Sequence, residues 1–172
     1  KQYQRFTPLP LPPAAPRVFG HEDLMQRTST RSFGKINEQT KQNTYRSLTL
    51  QEISNILFFS CGEVKKGIDP TKSTRIQPSA GARYPIEAYI LNFEPGDLGI
   101  ACYHYNVVHH TLEALWPIPL TSRADISTYF GYSWSTDASM AIVLTGVTQR
   151  TTMKYGERGY RYMYLEAGAI LN

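Results

Sequence analysis

Residues 78–89 read PSAGARYPIEAY, a run of small residues between two prolines that leads directly into an apolar, β-branched segment. Small side chains leave the backbone amides of such a loop open to close approach by a flat ligand. An ordinary turn before a strand would use the same residues. The loop interpretation therefore stays open, whereas a strand over residues 86–93 is predicted in either case because isoleucine and aromatic residues favour extended structure.

Upstream of this stretch, the clearest helix is predicted over residues 50–61. Thr49 and Glu52 form a T-x-x-E capping box, and apolar side chains follow at helical spacing. Gly62 comes directly after the last apolar residue, which predicts a left-handed stop. Between this helix and the 78–89 stretch lies a long loop, and long loops inside compact domains are often functional.

Downstream, the hydrophobic pattern predicts both strands and helices. The segments are a hairpin of residues 101–105 and 111–115, a helix over 123–130, a strand over 140–147 and a helix over 160–171. The run MAIVLTGV at 140–147 is continuously apolar, which predicts a strand buried on both faces. The last helix still presents an apolar face at Asn172 without a cap, so we expect the domain to be truncated there.

Composition limits the classes of protein that fit. The 172 residues are 41% hydrophobic and 19% charged, which suits one α/β or α+β domain with a real core. No apolar run approaches the ~20 residues of a membrane span, and no signal-peptide pattern follows residues 1–5, so we expect a cytoplasmic protein. The net charge of +4 comes without a dense basic block, which argues against nucleic-acid binding and suits a small phosphorylated ligand.

The N-terminal region differs in character from the rest. Residues 7–16, TPLPLPPAAP, hold five prolines, which predict an extended arm because each proline fixes φ and removes a donor. We therefore divide the chain into a proline-rich arm over residues 1–20, outside the core, and a single domain over residues 21–172. A short helix is expected around residues 22–27.

Two polar groups suggest chemistry. Arg27, Ser29 and Arg31 alternate in RTSTRSF, and arginine offers the planar, bidentate donors that suit phosphate, although a solvated strand edge fits as well. Lys154 and Tyr155 are adjacent at a predicted helix entrance, where an amine and a phenol can act as an acid–base pair. A surface lysine beside a packing tyrosine is the simpler alternative.

The histidines and cysteines give weaker indications of a functional site. His104, His109 and His110 lack a fourth ligand at sensible spacing, so we expect them on the hairpin surface rather than at a metal. Cys61 and Cys102 belong to no CxxC pattern and are expected to be reduced thiols.

Taken in order, several segments resemble one family. They are R-x-S-x-R-x-F (27–33), T-L-x-E-I-x-x-I-L (49–57), R-x-x-P-S-A-G-A-R-Y-P-I-E-x-Y (75–89), G-I-A-C-Y-H-Y (99–105) and K-Y-x-x-R-x-Y-R-Y-x-x-L-E-A-G (154–168). Over roughly residues 24–172 the chain is similar to the SagB/McbC-type dehydrogenase branch of the nitroreductase superfamily. The resemblance implies an α+β fold, a central sheet flanked by helices, and an intertwined homodimer with FMN at its interface.

The resemblance also implies site residues. Arg27, Ser29 and Arg31 would hold the FMN phosphate and the ribityl or pyrimidine edge. Lys154 and Tyr155 match the lysine and tyrosine associated with azoline oxidation. The residues implied to line the isoalloxazine, from the partner subunit, are Pro78, Ser79, Ala80 and Gly81.

The implied function is an FMN-dependent dehydrogenase that oxidises thiazoline or oxazoline rings of a modified peptide to azoles. Its implied partners are the peptide substrate and a cyclodehydratase or synthetase. A generic NAD(P)H-dependent nitro or quinone reductase is the first alternative, since it shares the R-x-S-x-R cradle and has no need of Lys154 and Tyr155. An inactive module that binds a peptide or a synthetase partner, with residues 7–16 as its docking arm, is the second.

Overall fold

The structure is a computed structural model that describes residues 6–15, 25–26, 28–29, 35–36, 39, 43–44, 46–64 and 74–171. Its strands are β1 (Pro8–Pro10), β2 (Lys35–Ile36), β3 (Asn43–Thr44), β4 (Glu63–Val64), β5 (Thr74–Arg75), β6 (Ile86–Asn92), β7 (Ala101–Asn106), β8 (Thr111–Pro117) and β9 (Met140–Gly146). Its helices of seven residues or more are α1 (Leu50–Cys61), α2 (Ala124–Phe130), α3 (Gln149–Tyr155) and α4 (Arg158–Leu171). The short helix expected over residues 22–27 lies mostly outside the described residues.

The main sheet has five antiparallel strands in the order β1-β8-β7-β6-β9. The predicted hairpin is confirmed as β7 and β8, with an irregularity in register between Cys102 and Tyr103. The helices pack around this sheet, so the expected α+β class with a central sheet flanked by helices is confirmed.

Strand β9 corrects one expectation. It pairs with β6 along all seven of its residues, as a continuous apolar run allows. Its side chains are half-buried to exposed, however, so the prediction of burial on both faces is wrong. The reason is its position at the end of the sheet order, where it has one strand neighbour among the described residues.

The proline-rich arm is attached to the domain. Its strand β1 pairs with β8, and of its three residues only Leu9 keeps a backbone N–H, which restricts such a segment to a sheet edge. Leu11 is buried in the main core, and its N–H donates to the carbonyl of His110 at 3.1 Å. The expectation that the arm stays outside the core is therefore wrong at Leu11. Its apolar side chain is buried in the core, and Pro10 and Pro12 flank it in the sequence.

Helix α1 begins and ends at the residues that its sequence predicts, but the backbone conformation of Gly62, which follows its last residue, differs from the prediction. The capping box is present: Glu52 N–H donates to Thr49 Oγ1 at 3.2 Å, and Thr49 N–H donates to the Glu52 carboxylate at 2.9 Å. Gly62 is extended (φ −67°, ψ 161°) rather than left-handed, which corrects the sequence prediction. Glycine is needed there for space, because a Cβ would lie 2.5 Å from the carbonyl oxygen of Phe58.

The core lies between the sheet and helices α1 and α4. Its members include Ile53 and Leu57 of α1, Ile90 and Tyr105 of the sheet, and Ile170 of α4. A second, smaller cluster packs α2 on the sheet around Phe93, Ile118 and Ile126. Cys61 and Cys102 are free and buried. Within the part of the chain that the structure describes, no helix is both long and apolar enough to cross a bilayer.

Candidate functional site

Residues 78–85, hereafter the glycine loop, adopt a strained turn before β6. A short 3₁₀ segment covers Ala80–Ala82, and φ is positive at Gly81 (61°), Ala82 (53°) and Tyr84 (45°). The Ser79 hydroxyl accepts a hydrogen bond from the backbone N–H of Tyr84 at 2.9 Å. Positive φ is uncommon outside glycine and persists only where the surroundings hold it. The loop is thus a fixed structure and not a passive connection.

Contacts from the segment after β9 hold the far end of this loop. Arg150 donates to the carbonyl oxygen of Tyr84 at 2.7 Å and pairs with the Glu87 carboxylate at 2.5 Å. The backbone N–H of Val147 donates to the carbonyl of Pro85 at 2.8 Å. Helix α3 is therefore joined to the glycine loop at its first turn.

Lys154 and Tyr155, hereafter the lysine–tyrosine pair, occupy the last turn of α3. Gly156 ends this helix with φ 56° and ψ −141°, and α4 begins two residues later. At Gly159 a Cβ would lie 2.8 Å from the backbone nitrogen of Thr152, so only glycine allows the two helices to meet this closely. The pair lies at a helix exit, which corrects the expected helix entrance, because the chain turns at Gly156 instead of continuing.

The lysine–tyrosine pair contacts the glycine loop. A Cβ atom on Gly81 would overlap the Tyr155 hydroxyl and lie 2.8 Å from Lys154 Nζ. Lys154 Nζ is 5.2 Å from the centroid of the Tyr155 ring, and the Tyr155 and Tyr162 rings pack edge to face at 4.9 Å. Lys154 is exposed and Tyr155 is half-buried. The structure thus brings two of the three predicted site segments, the glycine loop and the lysine–tyrosine pair, together within one chain.

An open groove of about 390 Å³ lies beside this contact. It is lined by Pro78, Ser79 and Ala80 from the loop and by Tyr162, Leu165 and Glu166 from α4. Three of the four residues predicted to line a flat ligand therefore line a groove. The fourth, Gly81, faces the lysine–tyrosine pair.

Glu166 is a polar residue of this groove that the sequence alone did not single out. Only 2% of its surface is exposed, and burial raises the pKa of its carboxyl, with the Ser79 hydroxyl and the Gln77 amide lowering it in part. Gln77 Nε2 donates to Glu166 Oε1 at 3.4 Å, and Oε2 has no hydrogen-bond partner among the described residues. The only sequence signal was its place in the L-E-A-G segment.

The predicted phosphate cradle cannot be placed in the same way. Arg27 and Arg31 lie outside the described residues, and Ser29, which is described, is exposed. Their role stays a prediction.

A buried polar network in the sheet connects to the glycine loop through Arg150. His104 Nδ1 is 2.8 Å from Glu113 Oε2, and its Nε2 is 3.0 Å from Glu87 Oε2. Asn106 Nδ2 donates to Glu113 Oε1 at 2.8 Å. His104 is fully buried, so its expected surface position is wrong. The reason is cross-strand pairing, which brings carboxylates from β6 and β8 to both ring nitrogens.

A carboxylate oxygen therefore lies at each ring nitrogen of His104. Burial raises the pKa of Glu87, but the hydrogen bond from His104 and the charge of Arg150 outweigh that effect and lower it to about 2. The network therefore runs from Asn106 through Glu113, His104 and Glu87 to Arg150, beside the glycine loop.

Sequence comparisons place this geometry among known proteins. No family model matches the chain. It is 27% identical over 123 residues to a nitroreductase-like protein of Methanocaldococcus jannaschii, covering 72% of this chain and 59% of that one. It is 35% identical over 97 residues to the trifolitoxin-processing protein TfxB of Rhizobium leguminosarum bv. trifolii, covering 54% and 26%. It is 30% identical over 111 residues to the microcin B17-processing protein McbC of Escherichia coli, covering 59% and 39%.

Solved structures share the fold. A nitroreductase-like protein of Anabaena variabilis superposes with a TM-score of 0.67 at 24% identity, over 99% of this chain and 30% of that one. The Escherichia coli microcin synthetase McbBCD complex with truncated pro-MccB17 bound gives 0.58 at 23% identity, over 93% of this chain and 59% of the matched chain. The chain spans 59%, 26% and 39% of the length of the three sequence relatives. It is therefore similar in sequence to a nitroreductase-like protein and to two peptide-processing proteins, and the solved structures confirm the expected nitroreductase-like fold.

Proposed function

We propose that this chain is the flavin-binding part of an FMN-dependent dehydrogenase that oxidises thiazoline or oxazoline rings of a modified peptide to azoles. The observation that carries this proposal is the contact between Gly81 and the lysine–tyrosine pair beside an open groove. Two segments that are far apart in the sequence, and that both belong to the SagB/McbC-type resemblance, thereby form one site. Two of the sequence relatives are peptide-processing proteins, which supports the choice of substrate class.

The groove suits the flat ring system of FMN. Small side chains at Pro78, Ser79 and Ala80 line one wall, so a planar ring can approach the backbone of the glycine loop. In this proposal Arg27, Ser29 and Arg31 hold the phosphate and the ribityl or pyrimidine edge. When bound, FMN supplies the two-electron redox chemistry, and the protein supplies position and a base.

The lysine–tyrosine pair is proposed as that base. Aromatisation of an azoline removes a proton from Cα, which a basic group must take, and a hydride from Cβ, which FMN is chemically able to accept. Lys154 Nζ and the Tyr155 hydroxyl both lie at Gly81, the loop residue next to Ala80, which lines the groove. In this proposal the azoline ring is held at that end of the groove, within reach of the pair. General-base assistance of this kind contributes about 10²–10⁴ in rate.

A homodimer is proposed from the outer face of α4. Three apolar side chains are exposed on the outside of this helix: Tyr164 (79%) and Leu171 (73%), seven residues apart, share one side, and Leu165 (70%) lies about 100° further around the helix. Leu165 also lines the groove, so this apolar face is continuous with the site. A second copy that packs there would cover the groove and reduce the exposure of the lysine–tyrosine pair to water.

The proposed partners are a peptide substrate and a cyclodehydratase or synthetase, and the proposed location is the cytoplasm. The microcin synthetase McbBCD complex has truncated pro-MccB17 bound, and one of its chains shares this fold. This likeness supports the proposed partners by analogy. A generic NAD(P)H-dependent nitro or quinone reductase gives the lysine–tyrosine pair no role, which makes it the weaker candidate.

The test begins with the visible absorption spectrum of the full-length protein and the identity of any flavin released on denaturation. Azoline-containing peptide is then supplied, and the loss of two hydrogens per ring is followed by mass spectrometry. Lys154→Ala and Tyr155→Phe are compared with Arg158→Ala, which removes an exposed cation from the start of α4.

We expect FMN in all three variants. Turnover should fall by about 10²–10⁴ in Lys154→Ala or Tyr155→Phe and stay near wild type in Arg158→Ala. Wild-type turnover in both site variants would remove the base assignment. Rapid flavin reduction by NADPH without azoline oxidation would favour the generic reductase, and a folded protein that takes up no FMN would favour an inactive binding module.

A further inference from the structure

We infer that Arg150 is a positioning residue that fixes the lysine–tyrosine pair relative to the glycine loop. The inference rests on the proposed function, because it assigns this arginine a part in the same site. Arg150 lies in the first turn of α3, one helical turn before Lys154, and its guanidinium spans two other elements. One nitrogen donates to the Tyr84 carbonyl in the loop at 2.7 Å, and another pairs with Glu87 of β6 at 2.5 Å.

The sheet gives Arg150 a rigid support. Both carboxylate oxygens of Glu87 are used, Oε1 by Arg150 and Oε2 by His104. Both oxygens of Glu113 are used as well, Oε2 by His104 and Oε1 by Asn106. The network therefore crosses β6, β7 and β8, and its side chains have little freedom because each is bonded at both ends. Arg150 connects this rigid network to the glycine loop.

The glycine loop needs such a support. Ala82 and Tyr84 have positive φ, and each residue in a sparsely populated backbone region costs of order 1–3 kcal/mol unless its surroundings hold it. The hydrogen bond from Arg150 to the Tyr84 carbonyl is side chain to backbone and comes from the helix that carries the lysine–tyrosine pair. Loss of this bond would leave the Val147 N–H to Pro85 carbonyl bond as the remaining hydrogen bond, among the described residues, between the loop and the start of α3, and would loosen the position of the pair relative to the loop.

Lysine cannot replace arginine at this position. Its ammonium is a point charge on a flexible stem, whereas the planar guanidinium reaches two acceptors at a fixed angle. Arg150→Lys should therefore keep the charge that Glu87 needs and lose the hold on the loop. The Arg150→Lys variant therefore tests the contact with the loop separately from the ionic contact with Glu87.

The experiment compares Arg150→Lys and Arg150→Gln with Glu113→Gln, which weakens the same network at its other end, away from the loop. For each variant we measure amide hydrogen exchange of residues 79–84, the free energy of unfolding, FMN affinity, and kcat and KM for an azoline peptide. The exchange measurement needs neither flavin nor activity, so the inference can be judged even if the proposed reaction is wrong.

We expect exchange in the loop to rise in both Arg150 variants, and kcat to fall by up to about 100-fold, the effect expected of a displacement of about 1 Å at a reacting group. Glu113→Gln leaves both bonds of Arg150 in place, so it should lower global stability while raising loop exchange and lowering kcat much less than the Arg150 variants do. The inference is overturned if loop exchange in Arg150→Lys equals that of wild type. It is also overturned if Glu113→Gln raises loop exchange as much as the Arg150 variants do, since Arg150 would then act only on stability.

Discussion

The hydroxyl of Tyr155 lies so close to the backbone of Gly81 that residue 81 has no room for a Cβ atom. The φ of 61° at Gly81 also favours glycine, so conformation and crowding select the same residue. The glycine loop and the lysine–tyrosine pair are therefore in close contact, and a substitution in one should change the position of the other.

Gly81→Ala is expected to disturb the site more than its backbone strain alone explains. The left-handed conformation costs an alanine roughly 1–2 kcal/mol, and the new methyl group would also displace the Tyr155 hydroxyl and Lys154 Nζ. We expect a loss of stability above that range together with reduced FMN affinity and turnover. Chemical unfolding and flavin titration measure the two effects.

Gly131→Ala is the matched control. Gly131 has a φ of 70°, and a Cβ there would meet nothing within 4 Å. It should show the backbone cost without any effect on flavin or turnover. Equal effects of the two substitutions on stability and flavin affinity would contradict the close fit at Gly81.

The buried network predicts sensitivity to acid. The pKa of Glu87 is lowered from its ordinary value of 4.5 to about 2, the pull of His104 and Arg150 exceeding the opposing effect of burial. The folded state therefore binds fewer protons than the unfolded state between these values, and the stability contributed by Glu87 is present above pH 4.5 and lost as the pH falls toward 2. Unfolding in urea at a series of pH values should show this decline.

Glu87→Gln tests the assignment. At neutral pH it breaks a buried charge network, a change that typically costs about 3–5 kcal/mol. The difference in unfolding free energy between wild type and variant should shrink as the pH is lowered through that window. A difference that stays constant from neutral pH to pH 3 would show that another group causes the acid sensitivity.

The capping box of α1 predicts a modest, local effect. Thr49→Ala removes the acceptor for the Glu52 N–H and should lower the free energy of unfolding by about 1 kcal/mol. Thr49→Ser keeps the hydroxyl and should behave like wild type. Thermal unfolding of the two variants makes the comparison, and an equal loss in both would assign the effect to the threonine methyl group instead.

The outer face of α4 predicts the oligomeric state. Leu165→Asp places a charge in the proposed interface and should convert a dimer to a monomer in sedimentation experiments, with loss of turnover. Val108→Asp introduces the same charge at another exposed apolar position, 52% exposed in the hairpin turn, and should leave the dimer intact. A monomeric wild type with full turnover would contradict the proposed interface.

Periodicity and capping predicted strands β6 to β9 and helices α1, α2 and α4, but not helix α3 or the short strands β1 to β5. The bounds of α1 followed from the capping box and from apolar spacing, and the β7–β8 hairpin followed from two strand-like runs around a turn. These signals are local, so a single sequence contains them. The resemblance implied roles for the glycine loop, from the partner subunit, and for the lysine–tyrosine pair, but their contact within one chain was not predicted.

Features that depend on strand register were missed. His104 looked like a surface residue because nothing near it in the sequence shows that Glu87 and Glu113 lie on either side of it. Arg150 was not singled out for the same reason, since its partners lie on β6 and in the glycine loop. The prediction of a left-handed stop at Gly62 was wrong for a different reason: the glycine was recognised, but its residue type does not show that its backbone is extended or that the Phe58 carbonyl, one helical turn earlier, leaves no room for a Cβ.

The attachment of the proline-rich arm has a practical consequence for anyone who shortens this protein. Deletion of residues 1–15 would remove Leu11 from the core and uncover the backbone edge of β8 that now pairs with Pro8–Pro10. An uncovered edge strand is a template for pairing with other chains, and prolines on an edge are a common protection against it. Such a trimmed protein should reveal the loss first as aggregation during expression, before any defect in catalysis could be measured.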